Sequence, residues 1–374
     1  MSRLFSPITL GNLELRNRVV IPPMCQYMAA SDGLPAPWHH MHYGALAISG
    51  ADLIIQEATG VDAIGRISPN CLGIYTDAQE AALTDMLAGI RSFSSARFGI
   101  QLAHAGRKAS CEPFDSYVYV PPEKGGWHPL GPSAAKHGDS WPLPRVATQD
   151  DLREVIKGFA EAARRADRAD RAGYDLIELH GAHGYLISSF LSPLANRRTD
   201  AYGGPLENRM RLAVEIARAV RKAWPAQKAL GMRLNGTDWL EGGITIAETA
   251  QVAARLKEEG FDYVALSSGG NARGQKLPPI VPGYQAPLAQ EVRATAGIAT
   301  MAVGMVLTPH QAEDILAEGK ADLVAIGRAA LDDPRWGLHA AQALGDEAVY
   351  PRSYWRAAGR VWPGYAMLRS APVA

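Results

Sequence analysis

Short, nearly continuous apolar runs recur along the chain, each followed by a polar or glycine-containing loop and then by a stretch with helical spacing. Eight such runs occupy 19–24, 52–59, 98–104, 175–180, 228–235, 261–268, 300–306 and 322–328. A strand covered on one face would alternate apolar and polar residues. Runs without that alternation suit parallel strands covered on both faces by helices. The helical stretches carry start signals: Thr148, Thr245 and Thr308 stand three residues before Asp151, Glu248 and Gln311. At that spacing a capping hydroxyl and a returning acid or amide satisfy backbone N–H groups reciprocally. Pro309 falls where a first-turn proline is tolerated, and Gly173, Gly260 and Gly319 follow helical runs at C-terminal cap positions. Eight strand-then-helix units predict an α/β fold, a (β/α)8 TIM barrel spanning residues 1–374 as a single domain.

Three segments depart from the repeat. Residues 8–15 alternate around Gly11-Asn12, which predicts a hairpin ahead of the barrel, covering its N-terminal end. Residues 106–147 are rich in Pro and Gly, carry Trp127 and Trp141, and are too long for an ordinary loop, so they are expected to form a lid. The stretch 350–374 holds Tyr354, Trp355, Arg356, Arg360, Trp362 and Tyr365, a set that a ligand or a neighbouring subunit can use.

Composition narrows the ligand. Of 374 residues 47% are hydrophobic, enough for a large core, and 38 Lys and Arg balance 38 Asp and Glu. Near-zero net charge gives no reason to expect nucleic acid or an anionic membrane. No apolar run is long enough to span a bilayer, and the N-terminal residues lead into strand-like sequence without a secretory apolar region, so a cytoplasmic enzyme acting on small molecules is expected. Cys25, Cys71 and Cys111 are scattered and odd in number, against both a disulfide framework and a cysteine zinc site.

Barrel chemistry sits at the C-terminal ends of strands. The first run ends in Pro22-Pro23-Met24-Cys25-Gln-Tyr27, two prolines fixing the backbone beneath a thiol and a phenol. The second offers small Ala58, which lets a flat ligand approach, and the third offers Gln101, both donor and acceptor to a heterocycle edge. The fourth, Asp175-Leu-Ile-Glu-Leu-His-Gly-Ala-His-Gly-Tyr185, delivers two imidazoles and a phenol. His180 and His183 would face opposite ways on a continued strand, so the chain must turn, and Gly181 and Gly184 permit it. As donors the imidazoles can hold a substrate oxygen, and Tyr185, with a reference pKa of about 10, can protonate a carbanion-like centre. A histidine metal pair is the rival reading. Arg233 is a fixed cation on an apolar strand and needs an anionic partner, while Ala302-Val303-Gly304 and Gly327-Arg328 end the last two strands, where barrels bind phosphate.

These motifs, with Ser192-Pro-Leu-Ala-Asn-Arg-Arg-Thr-Asp-Ala-Tyr-Gly-Gly204 and the run from Gln101 to Lys108, resemble the Old Yellow Enzyme family of FMN-dependent ene-reductases over almost the whole chain. Cys25, where many members carry threonine, resembles the thermophilic-like branch that includes xenobiotic reductases. The resemblance implies tightly bound, non-covalent FMN, its ring surrounded by Pro22, Pro23, Met24, Cys25, Ala58, Gln101 and Arg233. Ala302, Val303, Gly304, Gly327 and Arg328 would lie toward its phosphate, and Tyr27, His180, His183 and Tyr185 would face the substrate.

It further implies an NADPH dehydrogenase: NADPH or NADH reduces the flavin, hydride passes from FMN N5 to the β-carbon of an α,β-unsaturated carbonyl compound, and Tyr185 protonates the α-carbon. Cys25 would tune the flavin potential. Enones, nitro compounds, quinones and metal oxyanions become candidate acceptors, in a homodimer or homotetramer where Tyr354, Trp355 or Arg356 reaches a neighbouring active site. Val303 stands where some relatives carry a larger residue, implying a roomier pocket. A metal-dependent barrel hydrolase or aldolase and a noncatalytic flavin-binding sensor are the other function classes.

Overall fold

The computed structural model describes residues 1–168, 173–365 and 367. All eight predicted runs contain strands. Strands Ile8–Leu10 (β1) and Leu13–Leu15 (β2) precede the barrel, which begins with Val19–Ile21 (β3), Leu53–Gly60 (β4) and Arg97–Ala103 (β5). The excursion after β5 holds Cys111–Glu112 (β6), Asp115–Tyr119 (β7), Leu130–Gly131 (β8) and Arg145–Val146 (β9). Leu176–Gly181 (β10), Ala229–Asn235 (β11), Tyr263–Ser267 (β12), Ala299–Ala302 (β13) and Leu323–Ala325 (β14) complete the barrel. It closes in the order β10-β11-β12-β13-β14-β3-β4-β5, and β10 pairs β5 in parallel.

Two apolar layers result. Inside the barrel, Val20, Leu53, Ile55, Leu176, Ala229, Tyr263, Met301 and Leu323 form one buried cluster; between strands and surrounding helices lies a second, larger one. The predicted hairpin forms, and Leu10, Leu13 and Leu15 join the interior cluster with Leu53, Leu176, Ala229 and Leu323, the first residues of four barrel strands, and so close the N-terminal end. Gly231 on β11 is required by the interior packing, because a Cβ there would collide with the Tyr263 ring.

The predicted capping pairs form at Thr148–Asp151 and Thr245–Glu248. At Thr308 the hydroxyl accepts from the Gln311 N–H, but the Gln311 amide returns to the N–H of Leu307, one residue earlier than expected. A further box at Thr76–Gln79 has the same chemistry. Gly260 and Gly319 have the left-handed φ of a helix end, +81° and +69°. Gly173 adjoins residues 169–172, which lie outside the described residues, as do 366 and 368–374 of the expected C-terminal segment.

The excursion 106–147 is built and partly buried. Its hairpin β6–β7 is antiparallel, β8 and β9 pair in parallel, and Trp141 is 1% exposed in a cluster with Ala58, Cys71, Ala105, Ala109 and Cys111. Trp127 lies beneath the Arg66 guanidinium, 5.3 Å from ring centre to Cζ. Among the described residues no helix is long and apolar enough to cross a membrane.

If the hairpin plug supports the barrel, Leu10→Ala should destabilise it by about 2–5 kcal/mol through lost burial and a residual cavity. A fall in the urea midpoint, with the strand-mouth site intact, is the expected result; an unchanged midpoint would show the plug to be dispensable.

Candidate functional site

The fourth barrel strand ends in the turn that brings its rings together. His180 leaves β10 in register with Arg233 of β11. The next residues reverse through two left-handed positions, His183 at φ +61° and Gly184 at φ +75°. Gly184 is obligatory because a Cβ would strike the Gly270 carbonyl. His183 is not a glycine, so this uncommon conformation must be held by its surroundings. The His183 N–H donates to Asn235 Oδ1 at 2.9 Å, and Lys108 Nζ donates to the His183 carbonyl at 2.7 Å. The left-handed residues are thus His183 and the expected Gly184, whereas Gly181 keeps an ordinary φ and instead makes room for Met232 and the Arg233 carbonyl.

As a result the His180 and His183 rings stand 5.2 Å apart, and His180 and Tyr185 stand 4.7 Å apart, both edge to face. Lys108 Nζ sits 4.8 Å above the Tyr185 ring. His180 Nδ1 accepts the Ala182 N–H at 3.3 Å, which assigns the proton of a neutral ring to Nε2. His183 Nε2 pairs with Ser267 Oγ at 2.9 Å.

Desolvation sets the protonation states. Burial, reinforced by the nearby Arg233 and Lys108 charges, holds both imidazoles well below their ordinary value, so they are neutral at pH 7. Burial pushes the Tyr185 phenol well above its usual value, with Cys25 and Tyr27 adding to it, and the proton stays on. Burial also raises the Cys25 thiol, followed by Cys71 and Glu57, so this cysteine is a thiol rather than a nucleophilic thiolate. The Lys108 ammonium falls to about 8, again chiefly through burial.

The other strand mouths surround this cluster. Gln26 N–H donates to Glu57 Oε2 at 2.8 Å, tying the loop that carries Cys25 and Tyr27 to the second barrel strand. Tyr27 meets Phe114 of the β6–β7 hairpin at 5.6 Å, edge to face. Gln101 Nε2 donates to Glu178 Oε1 at 2.8 Å, and Tyr263 donates to Glu178 Oε2 at 3.0 Å, in the barrel interior. Burial raises the Glu178 carboxyl despite Arg233, and lowers Arg233 despite Glu178. Gly327 stands against Met24 and Pro22, where a Cβ would lie 3.7 Å from the Met24 sulfur. Gly304 has φ +115°, and Arg328, exposed, opens a short helix. Val303 packs toward the interior cluster of the barrel.

The C-terminal aromatic residues lie elsewhere. Tyr354, Trp355 and Arg356 occupy a 3-10 segment, Arg352–Ala357, and Tyr354 stacks under Arg335 at 5.0 Å. Tyr354 shares a groove with Phe93 and Ser94, which precede β5 and so mark the end of the barrel opposite the strand mouths. Within one chain these residues do not join His180 and Tyr185.

Fold and strand-mouth cluster together define a barrel enzyme. The family model described as NADH:flavin oxidoreductase / NADH oxidase matches residues 3–347. The NADPH dehydrogenase of Geobacillus thermodenitrificans is 42% identical over 354 residues, 94% of this chain and 98% of the relative. That of Listeria innocua is 40% identical over 358 residues, 96% and 99% of the two chains. Among solved structures, morphinone reductase superposes with a TM-score of 0.76 at 28% identity over 94% of this chain and 91% of its own. The chain belongs to the NADH:flavin oxidoreductase family and, within it, to the Old Yellow Enzymes, with FMN as cofactor and a reduced nicotinamide as electron source.

The residues present suit a flavin. Arg233 Nε is buried without a hydrogen-bond partner, an unpaired donor that an electron-rich heterocycle edge would satisfy. Gln101 spends one amide N–H on Glu178 and keeps its second N–H and its carbonyl for a ligand. Among the described residues no group of three or more His, Cys, Asp and Glu side chains is arranged to hold a metal ion.

Sequence reasoning missed Lys108, Asn235, Ser267 and Phe114. The first three ended or followed strands and carried the signal of position; only the turn at His183 reveals what they hold.

Side-chain nitrogen NMR checks the electrostatics. Both imidazoles should be neutral at pH 6, with His180 protonated on Nε2; an imidazolium signal from either would contradict the burial argument.

Proposed function

We propose that this enzyme reduces the activated C=C bond of α,β-unsaturated carbonyl compounds at the expense of NADPH or NADH. The observation that carries the reading is the convergence of two neutral imidazoles and a protonated phenol at one strand mouth. Bound FMN supplies the hydride acceptor and donor.

The chain's own residues do the rest. His180 donates through Nε2–H to the carbonyl oxygen. A Ser267 hydroxyl donating to His183 Nε2 leaves the His183 proton on Nδ1, the tautomer that a second donor to the same oxygen requires. Two donors fixed in a desolvated site withdraw electron density from the conjugated system and make the β-carbon electrophilic. Tyr185, held by the Lys108 cation above its ring, gives its proton to the α-carbon. Arg233 would face the ring edge where negative charge gathers on reduction, and Pro22, Pro23, Met24, Cys25, Ala58 and Gln101 would line the ring. Ala302, Val303, Gly304, Gly327 and Arg328 would serve the phosphate side. Cys25, held as a thiol, would lie beside the ring and modulate its potential.

Residues 106–147 act as a cap, with Tyr27 and Phe114 framing the substrate face. Nitro compounds, quinones and metal oxyanions are further acceptors on this reading. Exposed Trp355 and Tyr354, 51% and 41% accessible, suit a homodimer or homotetramer in which the C-terminal segment reaches a neighbour's site. Three free thiols suit the reducing cytoplasm.

Tyr185→Phe separates the roles. Enone-dependent reoxidation of the reduced enzyme should slow by about 100-fold, the scale of a lost general acid, while reduction by NADPH stays near normal. Rapid-mixing absorbance under anaerobic conditions measures both steps, and equal losses in the two would overturn the assignment of Tyr185 as proton donor.

A further inference from the structure

Behind the His183–Gly184 turn lies a buried polar hub. The Gly184 N–H donates to Ser188 Oγ at 3.2 Å, and the His183 N–H donates to Asn235 Oδ1 at 2.9 Å. Both acceptors lead to one carboxylate. Asn235 Nδ2 donates to Asp238 Oδ1 at 3.2 Å; Asn271 Nδ2 donates to Asp238 Oδ1 at 2.7 Å and to Ser188 Oγ at 3.1 Å. Asp238 Oδ2 accepts from Ser192 Oγ at 2.5 Å and from the Ile244 N–H at 3.0 Å. Four donors therefore end on Asp238: Ser192 after β10, Asn235 at the end of β11, Ile244 after it, and Asn271 after β12. Asp238, Asn271 and Ser192 are 0% exposed, Ser188 2% and Asn235 4%. Arg107, 3% exposed, donates to the Asn271 carbonyl and brings a cation to the same cluster.

We propose that Asp238 is a positioning residue for the substrate-facing His183 ring, acting through Asn235 on one side and through Asn271 and Ser188 on the other. The hub holds both N–H groups of a two-residue left-handed turn whose first member is not glycine. That conformation persists only where the surroundings impose it. A carboxylate is needed because it offers two acceptor oxygens and no donor. Asparagine at 238 would turn an N–H2 group toward one pair of donors and leave buried polar groups unpaired. The effect on His183 follows from connectivity: its backbone N–H is two hydrogen bonds from Asp238, and its ring takes its direction from the φ that those bonds impose.

The inference rests on the reading of His183 as an anchor for the substrate oxygen, so the test includes that residue. FMN-loaded Asp238→Asn, His183→Ala and the parent enzyme are titrated with 4-hydroxybenzaldehyde, followed by the long-wavelength band between bound phenol and flavin. FMN content is measured by flavin release and the fold by circular dichroism. Asp238→Asn should retain stoichiometric FMN and weaken phenol binding by about tenfold or more, the consequence of a misplaced positioning group. Phenol affinity within about twofold of the parent, in a loaded variant, overturns the hub when His183→Ala loses binding. If His183→Ala also binds normally, the reading of His183 as anchor is what fails, and the hub's role falls with it. Should Asp238→Asn not fold or not load, Asn235→Ala and Ser188→Ala cut the two arms singly: weakened phenol binding with FMN retained supports the proposal, and normal binding in both overturns it.

Discussion

Removal of water from the strand mouths is the constraint on which the site depends. Parallel strands covered on both faces leave their C-terminal ends in a largely apolar setting, and any ionisable group delivered there pays for its charge. Burial is the leading influence on His180, His183, Tyr185, Cys25, Lys108 and Arg233 alike. Its consequence differs with the starting value. Imidazoles begin near neutrality and lose their proton; a phenol and a thiol begin above it and keep theirs. Arginine begins so high that it stays cationic although lowered. One physical effect thus sorts the residues into neutral donors and the fixed cation Arg233, with Lys108 near the boundary between its forms.

A desolvated site also makes every unpaired polar group costly, and this explains the depth of the hydrogen bonding around the His183 turn. Both N–H groups of that turn and the His183 carbonyl have side-chain partners, Asn235, Ser188 and Lys108, and two of these are held in turn by Asp238 and Asn271 from the loops after β11 and β12. The barrel brings these loops to one end, and the turn in turn fastens them together. Among the described residues Arg233 Nε, Arg107 Nε and Asn271 Oδ1 are buried at this end without a partner.

The fold was legible because its signal is periodic and repeated. Eight unalternating apolar runs separated by helical spacing admit few architectures, and each threonine cap or terminal glycine is a local rule obeyed locally. The fourth strand was legible as a reactive end because three polar heads in six residues are hard to bury otherwise. What stayed hidden is non-local. Which nitrogen of His180 carries the proton depends on a backbone N–H two residues on, and that residue's position depends on the turn. Lys108 sat in view beside Arg107, yet nothing in sequence separates a lysine reaching over Tyr185 from one in solvent. Asp238 likewise looks like any loop aspartate until Ser192, Asn235, Ile244 and Asn271 converge on it. Of the two glycines expected to permit the turn, Gly184 is left-handed and Gly181 is not; the other left-handed residue is His183, whose N–H is held by Asn235 some 50 residues away.

Neutral donors have a consequence for selectivity. Charged anchors would favour an anionic ligand and reject a neutral one through unpaired burial of the anchor itself. Two neutral imidazoles ask only for an sp2 oxygen of modest basicity, which the carboxamide of a nicotinamide and the carbonyl of an enone both provide. On the proposed reading, the same pair therefore serves reductant and acceptor in alternation at one face. Discrimination among acceptors then falls to shape rather than charge, and the groups placed to supply it are the aromatic ones above the face: Tyr27, Tyr185 and the edge of Phe114 on the β6–β7 hairpin. Phe114 is 74% exposed and reaches from a segment outside the repeating barrel, so its chemistry can vary without disturbing the strand mouths. A barrel that fixes the donors and leaves the frame to an excursion separates the conditions for reaction from the choice of substrate.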